Sequence, residues 1–134
     1  MNTALLVVGS IAVGIAALIH VYIFVLESLR WSRSATWRVF GLRSQADADT
    51  VKPMAFNQGF YNLFLALGAA AGITLMATSR TAAGLTLTLF AAGSMVAAAL
   101  VLLLSSPKLA RAAAIQGVAP LLGIVLLGLA LLLG

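Results

Sequence analysis

The sequence predicts an all-α fold, an integral membrane bundle of four antiparallel helices, and three observations predict it. Of the 134 residues, 63% are hydrophobic and 8% charged, with a mean hydropathy of +1.13. An ordinary soluble domain carries about 25% charged residues. So short a chain cannot hide that much apolar surface in its own interior, so lipid is its solvent. Four stretches each supply the ~20 apolar residues that a membrane crossing needs. The connections between the last three are so short that those spans must run up and down beside one another. Residues 1–134 are read as a single transmembrane domain.

The first span covers about residues 3–29. It lacks a basic leader and exceeds the roughly 7–15 apolar residues of a signal peptide, so it reads as a span. A long loop follows, from about Arg30 to Pro53. Its "LRWSRSATWRVFGL" mixes Trp31, Trp37, Val39 and Phe40 with arginines, which suits a segment lying at headgroup level. Ser44 is placed to cap a short helix through "QADADTV", and Pro53 to sit in the first turn of span two, where a missing N–H is no loss. Spans two, three and four cover about 54–78, 82–104 and 109–133, joined by "ATSRTA" and "SSPK". "GAAAG" (Gly68 to Gly72), and more weakly Gly93 with Ala97, offer small faces on which helices approach closely. Such faces are expected to pack the bundle and need not mark a homodimer, which stays open as an alternative.

Charge sets the direction. Loops one and three share a side and carry Arg30, Arg33, Arg38, Arg43, Lys52, Lys108 and Arg111, while the opposite side has Arg80 alone. Because lysine and arginine favour the cytoplasmic side, both termini are expected outside the cytoplasm, in a multi-pass protein of the inner (plasma) membrane. The net charge of +5 does not indicate nucleic acid, because the basic residues are scattered and no stripe interleaves them with aromatics. The absence of cysteine removes disulfides, thiol catalysis and thiolate metal sites. No Gly-rich phosphate loop and no HExxH occur, and one His with so few carboxylates makes a poor ligand set. Neither a cofactor nor a metal is expected.

The polar residues gather at one end. Span one descends toward the cytoplasm while spans two and four ascend from it. His20 and Glu27 late in span one, Asn57, Gln58, Tyr61 and Asn62 early in span two, and Gln116 early in span four therefore all fall in the cytoplasmic half. At 1.5 Å per residue, His20 lies roughly 10 Å deeper than Glu27, too far for a direct hydrogen bond. Measured from Pro53, Glu27 is expected level with Asn57 or the loop, and His20 nearer Tyr61 or Asn62. His20, Phe24, Glu27 and Trp31 share one arc of the first helix, and the span-two amides occupy two adjoining strips. The expectation is one connected interior site, with His20 and Glu27 as acid–base groups and Asn57, Gln58, Tyr61, Asn62 and Gln116 as substrate-binding groups.

Each residue also has a plainer reading. Glu27 at an interface pairs with a loop arginine, a lone intramembrane His packs, and Asn or Gln acts as interhelical glue worth about 0.6 kcal/mol each. Glue accounts for one or two amides, whereas ionisable groups within a membrane are functional candidates by default.

At these residues the chain resembles the small bacterial four-span proteins of domain-of-unknown-function family 1304, over nearly its whole length. The shared features are "HVYIFVLESLRW", the "VFGL" of Val39 to Leu42, the motif "NQGFYNLFLA" of Asn57 to Ala66, and "QGVAPLLG" opening the last span. This chain has Ser28 where members often have Met, and "AGSMVAA" where span three usually carries Gly-x-Tyr-Gly. The resemblance implies an integral membrane location and a shared polar cluster, and it implies no activity.

Three functions compete. An enzyme of isomerase, cyclase or hydratase type would use His20 and Glu27 on a lipophilic small molecule, with amides polarising it. A binding or transport protein would offer the cluster as a pocket for a small amphipathic molecule, facing two helix N-termini. A structural membrane subunit would use the polar groups only to set helix register.

Overall fold

The computed structural model describes residues 1–133 as helices and short turns. Helix α1 (Thr3–Phe24) runs on into a π-helical turn (Val25–Leu29), and a short helix α2 (Ser34–Val39) lies in the following loop. Helices α3 (Gln45–Ala77) and α4 (Thr81–Ser105) follow, then a 3₁₀ turn (Pro107–Leu109) and α5 (Ala110–Leu132). All four long helices are long and apolar enough to cross a membrane. They form a four-cornered bundle in which α1 packs on α3 and α5, and α4 packs on the same two.

Small residues hold it together. With lipid on the outside there is no hydrophobic drive between helices, so close backbone packing must do the work. The core is accordingly alanine-rich: Ala16, Ala17, Ala66, Ala69, Ala91 and Ala92 surround Val13, Met95 and Leu127. The "GAAAG" stripe is used within the chain. A Cβ on Gly72 would run into the Thr88 side chain, and one on Gly84 would meet the Met76 nitrogen at 2.5 Å and the Gly72 oxygen at 2.7 Å. Gly93 has nothing within 4 Å of where its Cβ would be, and Ala97 is exposed, so that weaker pair packs nothing here.

The ends are tied down. Asn2 caps α1 by accepting from the Leu5 N–H, and its own N–H donates to the Ala130 carbonyl at 2.9 Å. Ser79 closes α3 with a φ of 64°, which lets the Arg80 N–H reach back to the Leu75 carbonyl at 3.0 Å in a Schellman turn.

Helix α3 departs from the sequence expectation. Ser44 does cap a helix, accepting from the Asp47 N–H at 3.1 Å, but that helix continues for 33 residues. Pro53 therefore lies inside α3 and not in its first turn. The carbonyl it leaves without an intrahelical partner belongs to Asp49, an exposed residue that the aqueous interface can solvate. At about 50 Å the helix outreaches a ~30 Å hydrocarbon layer. Gly72 against Thr88 and Gly84 against Met76 set an antiparallel register that brings Ser105, the end of α4, level with Ala55. The first three turns of α3 thus project beyond the bundle.

The long loop folds against that projection. Trp31, Trp37, Ala48 and Ala55 form a second core, with Phe40, Leu42 and Val51 packed on it. The Trp31 indole N–H donates to the Ala48 carbonyl at 2.9 Å, and Phe40 tilts against the Trp31 ring. Both tryptophans are buried on α3, where headgroup contact had been expected, while Val39 remains exposed.

Candidate functional site

The site begins with the irregular turn that ends α1. Between Val25 and Leu29 the backbone switches to π-helical bonding, and the Arg30 N–H closes on the Val25 carbonyl at 2.9 Å. A π turn holds an extra residue, and such turns are frequent at functional sites. Here Leu26 and Glu27, which lie within it, are both buried.

Gly59 makes the next step possible. Its missing side chain lets the Ser28 hydroxyl and the Glu27 Cβ lie directly on α3. Ser28 Oγ donates to the Phe56 carbonyl at 2.8 Å. One turn deeper, Asn62 Nδ2 donates to Glu27 Oε2 at 2.9 Å and to the Gln58 carbonyl at 3.1 Å. Glu27 is 7% exposed and Asn62 8%. Oε2 thus has a fixed donor and Oε1 has none. No lysine or arginine pairs with Glu27, although seven of the eight basic residues share its end of the bundle.

Beside this pair lies an open groove of about 370 Å³. Glu27, Asn57 and Gln58 give it polar walls, and Trp31, Val51, Met54 and Ala55 give it apolar ones. By the α3–α4 register it sits at the level where α4 ends. The exposed amides Asn57 and Gln58 therefore lie close to the end of the bundle rather than at its middle.

The remaining candidates lie elsewhere. His20 is 1% exposed, and its Nδ1–H donates to the Ala16 carbonyl at 2.8 Å; because a carbonyl only accepts, Nδ1 carries the proton. His20 continues the Gly9–Val13–Ala16 strip that packs on α5. Gly9 lies against Leu127 and Val13 against Gly123, a register that brings His20 level with half-buried Gln116. Phe24, edge-on to Phe60 at 5.1 Å, occupies the turn between His20 and Glu27. Tyr61 is 56% exposed and points away from the bundle interior.

The structure therefore brings Glu27, Asn57, Gln58 and Asn62 together, and sets His20, Gln116 and Tyr61 apart from them. Glu27 also lies deeper against α3 than the sequence suggests. It is level with Gly59 and not with Asn57, because Pro53 does not mark where α3 begins. Ser28, Gly59 and Trp31 are the participants that sequence reasoning did not assign. Trp31 shares the arc of Glu27, and the glycine inside "NQGF" is a signal of close backbone approach. Among the described residues no three His, Asp or Glu side chains are grouped to hold a metal ion.

A second groove, of about 360 Å³, lies at the opposite end between α1 and α3. Apart from Ser10 it is lined by apolar residues and glycine, including Leu6, Val7, Ile73 and Met76. It offers little with which to orient a polar molecule.

Neither the curated proteins nor the solved structures compared with this chain include a match. A family model described as "Protein of unknown function (DUF1304)" matches residues 14–128, reaching from the middle of α1 into the last turns of α5. The match includes every residue of the groove and takes in part or all of each of the four long helices, and the chain belongs to the DUF1304 family.

Proposed function

We propose that this four-span membrane protein binds a small amphiphile, whose polar head enters the groove beside Glu27 while its apolar body lies along α3 in the lipid. One observation carries the reading. A nearly buried carboxyl group, held by Asn62 through one oxygen, keeps its other oxygen without a partner at the wall of a groove that exposed amides complete. That oxygen is not sealed from solvent, so the groove presents it to an incoming polar head. The acid–base enzyme reading requires His20 and Glu27 to reach one substrate. His20 does not line the groove and lies roughly 10 Å from Glu27 along the helix, so binding is the better-supported function.

The test uses Asn57→Leu and Gln58→Leu. Both side chains are exposed and neither donates a side-chain hydrogen bond within the protein, so thermal stability in detergent is expected to stay close to wild type. Retention of co-purifying amphiphile is expected to fall about tenfold, as one lost hydrogen bond implies. Unchanged retention would remove these amides from the site.

The groove belongs on the cytoplasmic side in this reading, since seven basic residues lie at its end and one at the other. A reporter that is active only in the cytoplasm is expected to be silent at the C-terminus and active in the loop between α2 and α3. The reverse pattern would invert the orientation.

A further inference from the structure

We infer that the head recognised by the groove is a primary ammonium group carried on an apolar body; this rests on the groove being the binding site, as proposed above. The charge inventory of the groove selects the head. Its single ionisable wall group is Glu27, and no lysine or arginine lines it. The only donor fixed on that carboxyl is Asn62 Nδ2, on Oε2. Oε1 has no donor within the chain and is open to one from outside it. A nearly buried carboxylate without a counter-charge is costly, and an arriving cation relieves that cost where a neutral group does so only in part.

The rest of the wall accommodates an ammonium. Asn57 and Gln58 line the groove, and an amide carbonyl oxygen accepts an N–H bond. The charge of Glu27, and not these amides, sets the preference for a cation over an anion. Trp31 also lines the groove, and its indole N–H is already committed to the Ala48 carbonyl, so it adds no competing donor. An anionic head would face Glu27 directly. The flanking Val51, Met54 and Ala55 favour an alkyl chain next to the head. A free long-chain amine and the ethanolamine headgroup of a phospholipid share this chemistry.

The experiment titrates decylamine, decanol and decanoate into the full-length protein in phosphatidylcholine nanodiscs, with empty discs subtracted. Decylamine is expected to bind at least about tenfold more tightly than decanol, the scale of one charge-assisted hydrogen bond, and decanoate is expected not to bind. Glu27→Gln preserves shape and still accepts from Asn62, and it should abolish the preference for the amine while leaving weak decanol binding. Decanol binding as tightly as decylamine, with Glu27→Gln affecting neither, would overturn the ammonium assignment and leave the groove intact as a site. Binding of any probe that ignores Glu27→Gln and Gln58→Leu alike would overturn both. Adding phosphatidylethanolamine to the discs separates the two sources: competition with decylamine assigns the site to the lipid headgroup, and unaltered decylamine binding assigns it to a free amine.

Discussion

Gly84→Leu is expected to destabilise the bundle by about 3 kcal/mol or more, at the upper end of what overpacking costs. The reason is what the new side chain would strike. Its Cβ alone would approach the Met76 nitrogen and the Gly72 oxygen, which are backbone atoms of α3 and cannot rotate away. The α3–α4 crossing would have to open, and the alanine core between them would lose its dense packing. Gly93→Leu is the matched control on the same helix. It adds the same bulk where nothing lies within 4 Å, and lipid accepts an extra leucine. Thermal unfolding in detergent compares them directly. Equal melting temperatures for the two variants would contradict the close crossing.

Asn62→Leu is the second large effect. It removes the only donor on Glu27 Oε2 and leaves the carboxyl nearly buried without a fixed partner, a loss of about 2 kcal/mol. The decisive feature is the double variant. Replacing Glu27 by leucine as well removes the stranded group, so Glu27→Leu with Asn62→Leu is expected to recover most of that stability and yet bind no amphiphile. Paired polar groups can often be exchanged for apolar ones together but not singly. Strictly additive losses in the cycle would show that the two residues do not act as a pair.

The bundle was legible because its signals are physical necessities of a membrane chain. Apolar runs of sufficient length must become helices when no water is present to satisfy the backbone, and loops as short as "SSPK" dictate antiparallel neighbours. Gly72 was legible for the same reason. What escaped was local. Pro53 is favoured in a first turn but is not excluded from a helix interior where water reaches the freed carbonyl, so the start of α3 was placed too late. Every depth measured from it moved with that error, Glu27 foremost. The π turn at Val25–Leu29 has no marker in the sequence, and two of its residues, Glu27 and Ser28, meet Gly59 on another helix. The polar residues could be gathered by sequence at one end of the bundle. Their division between a groove at the end of the bundle and a His20–Gln116 level further along it depends on which neighbour each helix face meets, and that is a property of packing.

The central claim is that the groove beside Glu27 takes the polar head of an amphiphile. Photolabelling tests it most directly, using decanol and decylamine analogues with a diazirine on the carbon next to the head, in nanodiscs, with adducts mapped by mass spectrometry. Adducts are expected on Trp31, Val51, Met54, Ala55 or Gln58, the walls of the groove, and are expected to disappear in the Glu27→Leu, Gln58→Leu variant. Adducts concentrated instead on Leu6, Val7, Ile73 and Met76 at the opposite end, or spread over the exposed lipid-facing Phe90, Leu104 and Leu132, would contradict it.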